Sequence, residues 1–336
     1  MSNPNATTVH PEGTGREAHQ VVPAKKEETG VARRATLVAW AALLTVWVVW
    51  GSTYLAMRIG DETIPPLVLA SVRFFIAGLI MFPAAMRKAR SQAYAAGQAR
   101  WRPGAAQWLG CAVVGVLLLG ANSAVCAAER TVPSGLAALL VATVPLWLLG
   151  MDAVLNHARI GLAPTAGLVI GLAGVGLLSG LVSGKGGVSV SGVLIILAAA
   201  AAWALGTILA RRVSTPASPA LTSAMQLLTG GGVLLVLAAA TGEFGSFNPS
   251  AVSGRSWAAL AYLTVIGSIV AFSAYVVAVR LLPTATVATY AYVNPVIAVL
   301  LGTLILNERV TEAMLAGGVL IVASVVLVVR RALQPH

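Results

Sequence analysis

The chain has 336 residues, of which 58% are apolar and only 10% charged, far below the roughly 25% charged of a soluble globular domain. Its apolar residues fall in runs of about 20, the length that crosses a hydrocarbon core of about 30 Å. An all-α polytopic membrane protein is therefore expected, and the net charge of +11 does not call for a nucleic-acid partner, because the placement of the basic residues accounts for it.

Residues 1–34 are polar and charged without hydrophobic periodicity, and read as a disordered cytoplasmic tail. The apolar run that follows is too long for a cleaved signal and is taken as a first span. Ten spans are predicted, at 35–57, 65–85, 105–124, 134–154, 164–182, 190–209, 219–241, 257–279, 284–306 and 311–330. Cys111 and Cys126 sit 15 positions apart on the third, which on a helix is about 22 Å, too far for a disulfide. No metal-ligand spacing and no cofactor motif is present. Gly184-Lys185-Gly186-Gly187 lacks the Lys-Ser/Thr ending of a phosphate loop, and no nucleophile or metalloprotease set occurs, so an enzyme is not expected.

The chain is one unit written twice. Moved forward by 150 positions, Ala121 to Gly167 falls on Ala271 to Gly317 without a gap, with 12 identities in 47 pairs. The earlier part of each half matches at an offset of 153, where Trp50, Arg58, Pro66 and Gly78 meet Trp203, Arg211, Pro219 and Gly231. Two repeats are expected, 35–182 and 190–330, each with five spans. An odd number of spans inserts the two repeats upside down relative to each other. With the N-terminus inside, 16 Lys and Arg fall on the cytoplasmic side, five outside, and one, Arg73, within a span. That bias favours cytoplasmic N and C termini, and inverted repeats are a signature of secondary transporters with a site near the midplane.

Several short motifs carry a resemblance. Trp50-Gly51-Ser52-Thr53-Tyr54 ends the first span, and Arg73-Phe74-Phe75 lies in the second. Val132-Pro133-Ser134-Gly135 opens the fourth, and Tyr292-Val293-Asn294-Pro295 with Asn307-Glu308 marks the ninth. Together they resemble the drug/metabolite transporter superfamily, specifically bacterial proteins with two EamA domains. The resemblance covers about 35–330 and implies ten helices around a central cavity, with export of amino acids or related metabolites. Small multidrug members carry a glutamate in their first helix, whereas this chain has no Asp or Glu from Ala35 to Ile59.

Candidate site residues follow from polarity inside the spans. Thr286, Tyr290 and Asn294 recur every four residues and share one helical face, which in a membrane turns to the bundle interior or to water. These groups either meet substrate or bond neighbouring helices. The matching face of the fourth span, Leu136, Leu139, Leu140 and Val144, would make an apolar wall opposite. Trp47, Trp50, Gly51 and Tyr54 in span one, and Trp203, Gly206 and Thr207 in span six, offer surfaces for stacking or sliding. Arg73 is the one charge placed deep in a span and its repeat mate is Gln226, which suggests a ligand for a substrate carboxylate or a structural bond to neighbouring carbonyls. Pro145 and Pro295 are equivalent mid-span positions where a kink, and so a hinge, is expected. Glu129 is the candidate carboxylate for proton coupling, and its neighbour Arg130 suggests an interfacial charge instead.

The sequence thus describes a cell-membrane carrier that works by alternating access as a monomer. Its expected partners are the lipid bilayer and a small metabolite such as an amino acid. The alternatives are a multidrug exporter of lipophilic cations, which needs a carboxylate in its cavity, and a non-transporting membrane scaffold or receptor.

Overall fold

The structure is a computed structural model that describes residues 24–98, 102–155, 162–178, 189–282, 284–287 and 289–332. Among these residues every regular element is helical. The first repeat supplies α1 (Ala24–Gly60), α2 (Pro66–Ala95), α3 (Ala105–Ala128), α4 (Ser134–Val141), α5 (Val144–Leu155) and α6 (Leu162–Leu178). The second supplies α7 (Val190–Leu209), α8 (Pro219–Ala240), the short α9 (Glu243–Ser246), α10 (Gly254–Tyr262), α11 (Ala271–Leu281), α12 (Thr284–Val287), α13 (Tyr290–Leu306) and α14 (Glu312–Ala332). Helix α10 passes into α11 through π-helical turns at Leu263–Val270. Seven helices are long and apolar enough to cross a membrane, and 165–177, 293–306 and 312–327 are shorter apolar helices.

Several helix limits differ from the sequence reading, and α2 runs on to Ala95 where the second span was expected to end at 85. Helix α1 begins at Ala24 rather than near Ala35, so its polar first turns belong to the helix, while the apolar part starts at Arg34. Residues 1–23 and Gly184 to Gly187 lie outside the described residues. The fourth span is not continuous: it breaks at Ala142 and Thr143, between α4 and α5. Pro145 has no N–H for the carbonyl of Val141 four residues back, and Thr143 donates its hydroxyl to Leu140 O at 2.7 Å. In the ninth span α12 ends at Val287 and α13 starts at Tyr290, which is not the place equivalent to Ala142 and Thr143, and Pro295 is carried inside α13.

Close helix contact explains why glycines recur at repeat-related places. A Cβ on Gly78 of α2 would stand 2.7 Å from Leu228 N of α8, and one on its mate Gly231 would stand 2.6 Å from Phe75 N of α2. The two helices therefore cross backbone to backbone, each through the glycine of its own half. Gly115 and Gly230 join α3 to α8 in the same manner, and Gly174 joins α6 to Gly317 of α14. The outer surfaces of the bundle stay apolar: Leu109, Val154, Leu162, Val236, Leu304 and Val319 are all exposed. That arrangement suits hydrocarbon rather than water.

One end of the bundle is fastened by carboxylates that cross between the halves. Helices α2 and α4 both begin after a proline and carry no side-chain cap of their own. Glu243 accepts from Leu67 N at 2.9 Å, and Glu308 accepts from Ser134 N at 2.9 Å and Gly135 N at 3.2 Å. Each carboxylate satisfies N–H groups that a helix start leaves open and complements its positive end. Ser256 adds a bond from its hydroxyl to Ile59 O at 2.9 Å.

Candidate functional site

A cavity of about 250 Å³ lies between the halves, just below the roughly 300–1,000 Å³ of drug-sized pockets. Repeat mates line it in pairs: Trp50 with Trp203, Val141 with Ala291, Val144 with Asn294, Pro145 with Pro295, and Asn122 with Phe272. The cavity thus lies where the two copies of the duplicated unit face each other. Its polar groups come from both copies, Thr53, Arg73 and Asn122 from the first and Asn294 from the second. The expected division into one polar and one apolar wall is corrected accordingly. Of the predicted apolar face only Val144 lines the cavity. Leu136, Leu139 and Leu140 are buried in packing instead, because the break at Ala142 and Thr143 rotates α4 away from the register of α5.

The remaining predicted residues separate cleanly. Tyr54, Arg73 and Tyr290 line the cavity, while Thr207, Gln226, Thr286 and Glu129 do not. Thr207 donates to Trp203 O at 2.9 Å. The backbone of Gln226 is pressed against Gly115. Thr286 leaves the stripe of Tyr290 and Asn294 because helix α12 stops at Val287 and α13 restarts at Tyr290. Trp47 packs with Leu43, Ala278 and Val287 rather than at the cavity, and Gly51 is closed against Ile297.

Aromatic rings make up much of the wall. The Trp50 ring centroid lies 5.6 Å from Phe272, 5.2 Å from Tyr275 and 5.3 Å from Tyr290, within the range of favourable edge and tilted contacts. Across from them stands Arg73, 4% exposed. Its Nε donates to Ser268 Oγ at 3.1 Å and its Nη1 to Asn122 Oδ1 at 3.3 Å, with the guanidinium 4.6 Å from the Phe74 ring centroid. Both hydrogen-bond acceptors are neutral, and among the described residues Arg73 makes no ion pair.

The sequence reading missed Asn122, Ser268 and Phe272. Ser268 acts through the π-helical turns: its hydroxyl donates to Leu263 O, five residues back, at 3.0 Å while accepting from Arg73. Such widened turns are found mostly at functional sites. Asn122 could have been found as a lone amide in an apolar span. Asn294 ties α13 to α1: its amide nitrogen, in the orientation that satisfies its neighbours, donates to Trp47 O of α1 and to Tyr290 O of its own helix, both at 3.2 Å.

Beside the cavity, at the fastened end, Arg130 Nε donates to Asp61 Oδ1 at 2.6 Å. Arg130 is thus paired with Asp61 and not with the adjacent Glu129. Burial pushes the Asp61 carboxyl up to about 6 against the opposing pull of Arg130. Burial also raises Glu129 well above the usual carboxylate range, with Asp61 and Glu308 adding to the effect.

Residues 37–180 and 190–330 each match the model of the EamA-like transporter family. This chain belongs to that family. The two EamA matches coincide with the two repeats read from the sequence. Among similar proteins is the "Uncharacterized inner membrane transporter YedA" of Escherichia coli (strain K12), 36% identical over 307 residues, covering 90% of this chain and 94% of the relative. Another is a "Probable amino-acid metabolite efflux pump" of Salmonella typhimurium (strain LT2), 26% identical over 298 residues, with 84% and 91% covered. A solved structure titled "Crystal structure of protein" shares the fold, at a TM-score of 0.56 and 22% identity over 90% of this chain and 100% of that one. The EamA chain is a multi-pass membrane protein of a transporter family.

Proposed function

We propose that this EamA protein is a secondary carrier that exports small amphipathic metabolites, amino acids among them, by alternating access. Ten crossings are assigned to α1, α2, α3, α4 with α5, α6, α7, α8, α10 with α11, α12 with α13, and α14. The halves are inverted and both termini are cytoplasmic. Arg73 holds the substrate carboxylate while the Trp50, Tyr54, Trp203 and Tyr290 rings receive its apolar part. The observation that carries this reading is a buried guanidinium with only neutral hydrogen-bond acceptors on the wall of a mostly aromatic and aliphatic cavity. A charge in a membrane interior costs at least about 2.5 kcal/mol, which an incoming carboxylate offsets through charge-assisted hydrogen bonds. A cavity lined by Arg73 and, among the described residues, by no Asp or Glu is the wrong sign for lipophilic cations. The breaks before Pro145 and at 288–289 let each crossing bend where it meets substrate, as a hinge does.

Two measurements test the proposal. Medium from cells overproducing the chain should be enriched, relative to cells lacking it, in carboxylate-bearing small molecules. Titrating those molecules into the purified protein should quench the fluorescence of Trp50 and Trp203. Enrichment of cations alone, or no quenching by any enriched compound, contradicts the reading.

A further inference from the structure

Glu129 stands at the C-terminal end of α3, where its backbone N–H donates to Val125 O at 3.0 Å. It is 1% exposed, and neither carboxylate oxygen has a hydrogen-bond partner. Asp61 Oδ2 is also buried without a partner, although Asp61 Oδ1 is held by Arg130. Residues on either side of Glu129, Ala128 and Val132, belong to an apolar cluster with Met57, Ile64 and Leu136. An ionised carboxylate with no donor in such surroundings costs several kcal/mol, whereas the neutral acid does not bear that cost.

The charged and titratable neighbours come from every element packed around it. Arg58 and Tyr54 face it from α1, Asp61 from the turn after α1, Glu308 from the segment between α13 and α14, and Cys126 from its own helix. Arg130, next in sequence, points its Nε to Asp61. Two carboxylates and one arginine therefore act on Glu129, and Glu308 is the group that caps α4 across the two halves. Tyr54 belongs to the cavity wall, so Glu129 lies between the substrate cavity and the fastened end.

We propose that Glu129 is an exchangeable proton site that couples protonation to opening of the end of the bundle fastened by Glu308, Asp61 and Arg130. The inference rests on the carrier reading. With that end closed, Glu129 is a neutral carboxylic acid. When Glu308 leaves the start of α4 and the helices part, water reaches Glu129, the proton passes from its carboxyl oxygen to water, and the anion is hydrated. Reprotonation from the same side removes the charge and permits closure. Linkage fixes the sign: the ionised form favours the open arrangement and the protonated form the closed one. Among the described residues no set of three or more His, Cys, Asp or Glu is placed to hold a metal ion.

The test uses the full chain in liposomes and needs no substrate. Infrared spectra at neutral pH should contain the carbonyl band of a protonated carboxylic acid. That band should disappear in Glu129→Gln and persist in Asp61→Asn. A cysteine placed at Ser134, buried under Glu308, reports opening by its reaction with a membrane-impermeant thiol reagent. Measured against a free thiol titrated alongside, which removes the pH dependence of thiolate formation, labelling should rise by up to about tenfold per pH unit across the titration, and that excess should be absent in Glu129→Gln. If Glu129→Gln fails to fold, Glu129→Asp keeps an acid and should keep a band at a shifted frequency. An unchanged acid band in Glu129→Gln overturns the proposal, as does displacement of the band by sodium ions at constant pH. A pH-independent labelling rate also overturns the proposed coupling, and it leaves the carrier reading to stand or fall on its own fluorescence and metabolite tests.

Discussion

The two halves of the duplicated chain agree where helices pack and disagree where charge is held. Gly78 and Gly231 perform the same close crossing on α2 and α8, and Trp50 and Trp203 line the same cavity. At other mated positions the chemistry belongs to one copy alone. Arg73 has Gln226 as its mate, Glu129 has Val279, Asp61 has Ser214, and Glu308 has Ala158. Packing at a shared axis constrains both copies equally, because each glycine meets the other helix's backbone. Charge is under no such constraint. On the proposed carrier reading, a cavity shared by both copies with a one-sided cation would bind an anion in one orientation, and carboxylate caps at one end would make the two ends open under different conditions.

Making the first copy like the second should have the largest effect at Arg73. Arg73→Gln removes charge-assisted bonds worth about 1.5–3 kcal/mol, so binding of a carboxylate substrate should weaken roughly 10- to 100-fold. Discrimination against the corresponding amide should fall with it. Arg73→Lys keeps the charge without the fork and should fall between the two. Loss of the folded protein in both variants would assign Arg73 to structure instead.

The packing side of the comparison predicts equal effects from both copies. Gly78→Ala and Gly231→Ala each force a Cβ to within 2.7 Å of a backbone nitrogen, and each should cost about 1–3 kcal/mol in unfolding experiments in detergent. Gly120→Ala, with nothing within 4 Å of its added Cβ, should change stability by less than about 0.5 kcal/mol. A loss confined to one of the crossing glycines would break the symmetry of the crossing.

A smaller effect is expected at the fastened end. Glu308→Ala should release the amides of Ser134 and Gly135, a cap worth about 1 kcal/mol. Their hydrogen exchange should quicken by about fivefold while amides at the start of α8, which has no side-chain cap, keep their rates. An unchanged rate at Ser134 would mean that Glu308 holds nothing closed.

How much of this was legible in the chain depends on the kind of signal. Helical content, the double repeat and the pairing of Trp50 with Trp203 and of Pro145 with Pro295 follow from apolar length and self-similarity, both of which survive in a single sequence. The cavity residues that escaped are those without a like mate. Asn122 is matched to Phe272, so a search for shared residues passes over it. Ser268 reaches Arg73 only because the turns at Leu263–Val270 widen, which no apolar periodicity announces. Thr286 was misassigned because a regular four-residue stripe presumes an unbroken helix, and the interruption at 288–289 shifts the register. Glu129 was read as a candidate for proton coupling or, from its neighbour Arg130, as an interfacial charge, and adjacency in sequence could not show that Arg130 reaches Asp61 while Glu129 is buried.

The proposed inversion of the halves is tested directly by two mated positions. Ser91 and Phe244 are 153 positions apart in the register that matches the early part of each half, and both are exposed. The native Cys111 and Cys126 are buried and leave a low background. Single cysteines at Ser91 and at Phe244, treated in intact and in opened membrane vesicles with an impermeant thiol reagent, should react from opposite sides of the membrane. Reaction of both from the same side would contradict the inverted arrangement and, with it, a cavity built by two facing copies of one unit.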